Sequence, residues 1–334
     1  MKGLQLVPAE TNLDFIGKRF IAFALSLLLI AGSIFLVIDR GLNFGIDFTG
    51  GTLIEIKTPV EPDIGGLRTE LNALGLGAVS IQEFGAPDDL LIRLPQQQTA
   101  DDDGEAQKAA IETVKAALDK HFVVEEGELG EVTEEQAETL SMGVDYRRIE
   151  FVGPQVGDEL KRQGALAVLF SLMGILAYVW FRFEWQFGVA SIIALAHDSI
   201  LTIGFFALTQ MEFNLSTVAA ILMIAGYSIN DTVVVFDRIR EKLRKYKKMP
   251  LAELFNFAVN KTLARTLMTS LTTLLALLAL YMFGGEVIRG FVVALIFGIG
   301  VGTYSSIFVA APLLLFMNVK RGVEGEGKAQ PEAA

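Results

Sequence analysis

The amino-acid sequence predicts a membrane α-helical bundle of six transmembrane helices that carries one inserted α+β domain of ferredoxin-like type. Three observations predict it. Of 334 residues, 52% are hydrophobic and 20% charged, and the mean hydropathy of +0.46 is too apolar for an ordinary soluble domain of this size. Six apolar runs each come near the ~20 residues needed to cross hydrocarbon. The charge is segregated: residues 41–160 hold 25 Asp and Glu against 8 Lys and Arg, within a chain whose net charge is −11.

The first run, IAFALSLLLIAGSIFLVI at residues 21–38, follows Lys18 and Arg19. It is longer than a secretory apolar region and lacks a small-residue cleavage site, so it reads as a retained span. Further runs lie at about residues 164–181, 187–209, 215–236, 262–283 and 288–317. Orientation follows from the basic residues at span ends. Arg238, Arg240, Lys242, Arg244, Lys245, Lys247 and Lys248 form the richest cluster and place the connection between the fourth and fifth spans in the cytoplasm. Counting outward, Arg182, the N-terminal Lys2, Lys18 and Arg19, and the C-terminal Lys320 and Arg321 fall on the same side. The acidic segment then lies outside. The expected organisation is residues 1–40 as N-terminus and first span, 41–160 as the outer domain, 161–318 as spans two to six, and 319–334 as a disordered cytoplasmic tail.

Within the outer segment, Thr52 to Lys57 alternates with Ile54 and Ile56 on one face, and Leu90, Ile92 and Leu94 repeat the pattern. Ile64, Leu67, Leu71 and Leu74 fall at helical spacing, as do Ala110, Ile111, Val114, Ala117, Leu118 and Phe122. With Val79 to Phe84 and Tyr146 to Val152 as strands, the order is strand, helix, strand, strand, helix, strand, the ferredoxin-like order. The stretch from Glu125 to Glu138 is too acidic for a core element.

Composition excludes several classes of function. A strongly acidic soluble segment offers no basic face for nucleic acid. There is no cysteine, so no thiolate nucleophile, and with only His121 and His197 no HExxH metal site can form. What stands out instead is charge inside apolar runs, where Asp or Arg costs about 2.5–3.5 kcal/mol at a span centre. Asp198 follows His197 in the third span, Asp231 follows Asn230 in the fourth, and Arg265 is near the start of the fifth. Asp231 lies six residues before Asp237, about 9 Å along a helix, and Arg265 four residues past Lys261, about 6 Å. Antiparallel neighbours could therefore bring Asp231 and Arg265 to similar depth as an ion pair, which protonation would weaken.

Blander readings stand beside these. The charges could lock helix packing, and Arg265 could snorkel to headgroups. His197 and Asp198 suggest a dyad, but no serine or threonine is identifiable as a nucleophile and adjacent residues point to different helix faces, so packing or relay is the expected role. The basic connection is a topology anchor that also attracts anionic lipid. Gly298, Gly300 and Gly302 allow close helix contact.

An ordered set of motifs resembles the SecF family, the smaller subunits of the SecD and SecF protein-export complexes. Its carriers are FGIDFTGGT at Phe44 to Thr52, VGPQVGDEL at Val152 to Leu160, FRFEW at Phe181 to Trp185, ALAHD at Ala194 to Asp198, GYSINDTVVVFDRIRE at Gly226 to Glu241, LARTLMTS at Leu263 to Ser270 and FGG at Phe283 to Gly285. Gly45, Asp47, Gly50, Gly51, Gly153 and Pro154 are the structural positions of the first two. The resemblance implies a non-enzymatic accessory of the Sec translocase in the bacterial inner membrane, with both termini cytoplasmic and the large domain periplasmic. It implies half of a twelve-span arrangement akin to resistance-nodulation-division exporters, with SecD as the other half, and the SecYEG channel, YajC, unfolded preprotein and membrane lipid as further partners. It implies that a proton, or a sodium ion, drives late steps of export, with no cofactor. Asp231 and Arg265 occupy the family's intramembrane aspartate and arginine positions. Asn230, Asp198 and His197 complete the expected coupling set. The alternative classes are a small-molecule exporter of the same superfamily, which expects two outer domains and about twelve spans in one chain, and an intramembrane hydrolase using His197 and Asp198.

Overall fold

The computed structural model describes residues 11–97, 103–122, 143–317 and 319. The acidic stretch Glu125 to Glu138 and the C-terminal tail lie outside the described residues. By contact the chain divides into two units, one of Met1–Asn43, Ala167–Met211 and Ser216–Ala334, the other of Phe44–Leu166 and Glu212–Leu215.

In the first unit, long helices follow from uninterrupted apolar runs whose backbone groups bond within the segment, the condition for crossing hydrocarbon. Six described helices are long and apolar enough to cross a membrane. They are α1 (Arg19–Asp39), α5 (Pro154–Arg182), α6 (Trp185–Thr209), α7 (Leu215–Lys245), α8 (Leu251–Phe283) and a last span from Arg289 to Met317. The last begins as α9 (Arg289–Ser305), opens into a π-helical turn over Ser306–Ala310, and continues through short helical turns to Met317. Helix α6 packs against α1 and α9, and α9 against α8.

The helices overrun the apolar runs. Arg238 through Lys245 stand on the last turns of α7 rather than in a loop, and α8 begins at Leu251. Amphipathic turns extend each helix because Phe236, Ile239, Leu243, Leu254, Phe255 and Ala258 form a common core there. Phe187 meets Phe236 edge-on at 5.1 Å between ring centres, and Phe183 lies 5.8 Å from Phe187. At this end Arg182 approaches Asp237 at 3.5 Å and its carbonyl accepts from Arg240 at 3.3 Å. The two basic segments expected to share a side do so.

Small residues set two close approaches within this bundle. A Cβ on Gly298 would overlap Ile224, and one on Gly302 would crowd Ser228. Gly300, expected to act with them, faces open space.

The second unit is a four-stranded antiparallel sheet. In chain order it contains α2 (Ile46–Thr49), β1 (Gly51–Lys57), α3 (Ile64–Ala73), β2 (Ser80–Phe84), β3 (Ala86–Leu94), α4 (Asp103–Phe122) and β4 (Asp145–Val152). The strands run in the order β2-β3-β1-β4. The pairing Ile54 with Ile92 and Ile56 with Leu90 puts the alternating isoleucines and leucines on one face. That face is buried by Leu67 and Leu71 of α3 and by Val114, Leu118 and Phe122 of α4. Both helical stripes thus become the cover of one sheet. Beneath it, Gln107 donates a buried hydrogen bond to the Thr52 hydroxyl at 2.6 Å, tying α4 to β1.

Ile92 is fully buried at the centre of this core. Ile92→Ala is expected to cost about 2–5 kcal/mol, measured as earlier guanidinium unfolding of the purified protein followed by proteolysis of the sheet unit. A shift of under half a kilocalorie would show that the core collapses around the cavity.

Candidate functional site

The ionisable residues of the apolar runs resolve into two polar clusters inside the helical unit. Burying a carboxylate among apolar side chains is costly unless its oxygens are hydrogen-bonded. Each cluster meets that requirement with hydroxyl groups.

The first cluster centres on Asp198 of α6, which is 1% exposed. Its Oδ2 accepts from Ser228 Oγ of α7 at 2.5 Å and from Ser305 Oγ of the last span at 2.8 Å. Its Oδ1 lies 2.9 Å from His197 Nδ1. The expectation that adjacent residues would diverge is therefore corrected. The two side chains fold toward each other because neither has water to turn to, although His197 Nε2 stays buried without a hydrogen-bond partner among the described residues. The His197 ring lies 6.0 Å from that of Tyr304, whose hydroxyl donates to the Ala22 carbonyl of α1 at 3.0 Å and meets Ser26 Oγ at 3.1 Å.

The second cluster centres on Asp231 of α7. Oδ1 accepts from Thr266 Oγ1 of α8 at 2.5 Å, and Oδ2 accepts from Ser306 Oγ of the last span. Near it, Ser270 and Thr303 hydroxyls meet at 2.7 Å between α8 and the last span.

No ion pair joins Asp231 to Arg265 within 4.0 Å, although the guanidinium is near enough to act on the carboxylate through space. This corrects the expected contact by one residue. The Asp231–Thr266 and Tyr227–Ser270 contacts set the antiparallel register of α7 against α8. Thr266 takes the facing position, and successive helix residues are rotated by about 100°, so Arg265 is turned aside and exposed. Asn230 is exposed on α7 and joins neither cluster in any described hydrogen bond. The structure thus assembles Asp198 with His197, places Asp231 among hydroxyls with Arg265 near, and leaves Asn230 out.

A family model described as "Protein export membrane protein SecD/SecF, C-terminal" matches residues 132–320, and one described as "SecD/SecF GG Motif" matches residues 35–58. A protein translocase subunit SecF from Rickettsia felis is 44% identical over 318 residues, covering 95% of this chain and 96% of its own. A protein translocase subunit SecF from Cereibacter sphaeroides is 45% identical over 319 residues, covering 96% and 94%. The chain belongs to the SecF family.

A crystal structure of SecDF, a translocon-associated membrane protein from Thermus thermophilus, superposes with a TM-score of 0.77 at 38% identity over 93% of this chain. A second SecDF structure, in a super-membrane-facing form, gives a TM-score of 0.62 at 37% identity over 92%. The chain spans 39% of the length of each of these SecDF chains. Resemblance by motif and relationship over the whole chain therefore agree on the SecF family.

The SecF motif positions have structural reasons in the sheet unit. Gly45 precedes α2, and its N–H donates to the Phe213 carbonyl at 2.9 Å. Asp47 in the first turn accepts from the Leu215 N–H at 2.8 Å. Gly50 and Gly51 adopt φ of +70° and +110°, the left-handed region, and a Cβ on Gly51 would strike the Leu94 carbonyl. Gly153 accepts from the Gly157 N–H at 3.0 Å, and Pro154 opens α5, where a missing N–H breaks no helical bond.

Ser228 and Thr266 lie inside the motifs at Gly226 to Glu241 and Leu263 to Ser270 without a role assigned to either, and Ser305 and Ser306 lie outside every quoted motif. Hydroxyl residues are common at span interfaces, so nothing local distinguishes these four from Ser270 or Thr303.

Asp198→Leu would leave the Ser228 hydroxyl and His197 Nδ1 buried without their acceptor, at roughly 1–3 kcal/mol per orphaned group, while Ser305 falls back on the Gly302 carbonyl. The expected result is a clear loss of thermal stability in detergent, absent from Asp237→Asn at the exposed helix end. Equal stability of the two variants would mean that water reaches the Asp198 cluster.

Proposed function

We propose that the chain is an accessory subunit of the Sec protein translocase that works with SecD and uses the proton motive force to promote late steps of protein export. The translocase role is supported by SecF relatives aligned over nearly the whole chain. The proton role rests on Asp231, a carboxylate inside a candidate span whose direct partners are hydroxyls. A formal ion pair would favour only the ionised form. Hydroxyls donate to a carboxylate and accept from a carboxylic acid, so they accommodate both states. Arg265, one residue before Thr266, lies beside this carboxylate without pairing with it.

In this reading the helical unit is embedded in the bacterial inner membrane with both termini cytoplasmic. The outer segment of residues 41–160, most of which lies in the sheet unit, is the periplasmic domain. Its strand-helix-strand-strand-helix-strand sequence and β2-β3-β1-β4 order support the ferredoxin-like assignment. Chain connections through α1 and α5 carry this domain, which handles emerging unfolded preprotein at the SecYEG channel. SecD supplies the complementary half of the spans, YajC is a further partner, and the basic end of α7 favours anionic lipid. Asp198 and His197 serve as a second, relay-type polar site; Asn230, expected in the coupling set, is exposed and joins neither cluster by a described hydrogen bond.

Asp231→Asn is expected to abolish the component of reporter export that depends on membrane potential while leaving the subunit assembled in the membrane. Export at the parent rate would overturn the coupling role. Arg265→Ala is expected to lower the same component; parent-level export there would confine coupling to the aspartate. Replacing the proton gradient by a sodium gradient decides the driving ion.

A further inference from the structure

The two carboxylates are joined through one feature of the last span. Ser305 and Ser306 are consecutive, yet Ser305 Oγ donates to Asp198 of α6 and Ser306 Oγ to Asp231 of α7. They sit where α9 ends and the π-helical turn Ser306–Ala310 begins. π-turns interrupt the ordinary helical ladder and occur at functional positions. Each serine also has a second acceptor behind it. Ser305 Oγ is 3.1 Å from the Gly302 carbonyl, and Ser306 Oγ is 3.1 Å from the Thr303 carbonyl.

A serine hydroxyl carries one hydrogen and can serve one of these acceptors at a time. When the facing carboxylate is ionised, the charge-assisted bond to it is the stronger and holds the hydrogen. When that carboxyl takes up a proton, its own O–H can donate to the serine oxygen, and the serine hydrogen turns back to the helix carbonyl. No covalent bond of the serine forms or breaks; the proton stays on the carboxyl group. Turning back changes what the i−3 carbonyl accepts, and such back-bonding bends helices.

We propose that Ser305 and Ser306 are positioning residues that read the charge states of Asp198 and Asp231 and combine them in the single π-turn at Ser306–Ala310. This deepens the coupling role of Asp231 and rests on it. It gives the Asp198 site a physical connection to the driving carboxylate, since the backbone torsions at the 305–306 step are common to both switches. Because the groups in play differ, the two sites can hold different charge states and still bias one turn. Asp198 has Ser228, Ser305 and His197 as its direct partners. Asp231 has Thr266 and Ser306, with Arg265 one residue before Thr266 as the neighbouring charge.

The test compares Ser306→Ala, Ser306→Thr, Ser305→Ala and Asp231→Asn in membranes carrying the full translocase. Two quantities are read, potential-driven export of a reporter and the infrared carboxyl stretch that Asp231→Asn removes. Ser306→Ala should raise the frequency of that band and lower driven export about tenfold, the weight of one charge-assisted hydrogen bond. Ser306→Thr should restore both. Ser305→Ala, which removes no contact of Asp231, should nonetheless displace the Asp231 band. Parent-level export with Ser306→Ala overturns the inference, as does a Thr variant that fails like Ala, or an Asp231 band indifferent to Ser305→Ala. Normal export with Asp231→Asn instead overturns the coupling role itself.

Discussion

A carboxylate among apolar helices must be fully hydrogen-bonded from neighbouring helices, and that constraint organises the helical unit. Asp198 and Asp231 lie on successive helices, α6 and α7, and neither can be satisfied by its own helix alone. Asp198 draws in α7 and the last span; Asp231 draws in α8 and the last span. The last span answers both, and its helix departs from α geometry at the residue where the second answer is given. Close approach at Gly302, against Ser228, brings the backbones near enough for these short side chains to reach.

Hydroxyl partners have a different consequence from charged ones. Ion pairs inside the spans would stabilise one protonation state and resist change. Serine and threonine tolerate both, at the cost of weaker fixation of either. Arg265 is exposed and stands beside rather than upon Asp231, whose facing neighbour on α8 is Thr266. Reversibility at such a site is what the proposed coupling role requires.

The glycine-rich segment at the start of the sheet unit answers a separate constraint. Gly50 and Gly51 turn the chain through left-handed backbone into β1, while Gly45 and Asp47 bond the Phe213 and Leu215 backbone within the same unit. Arg93 of β3 meets Glu212 of that segment at 2.5 Å. The motif is thus a structural joint with sheet, short helix and connecting segment fastened at one place.

Amino-acid order alone determined the six apolar helices, the alternating strands and the two helical stripes, because burial in hydrocarbon or against a sheet leaves its period in the sequence. It also determined which charges were anomalous, since Asp198, Asp231 and Arg265 interrupt apolar runs. Only the tertiary structure decided their partners. Whether Arg265 or Thr266 faces Asp231 depends on a one-residue register between antiparallel helices, which composition and period do not encode. Ser305 and Ser306 carry no signal of their own in the sequence, and Ser228 lies in a quoted motif without a role of its own. Their role exists only because three helices converge on one carboxylate and the chain's last span places two neighbouring hydroxyls on two different acids.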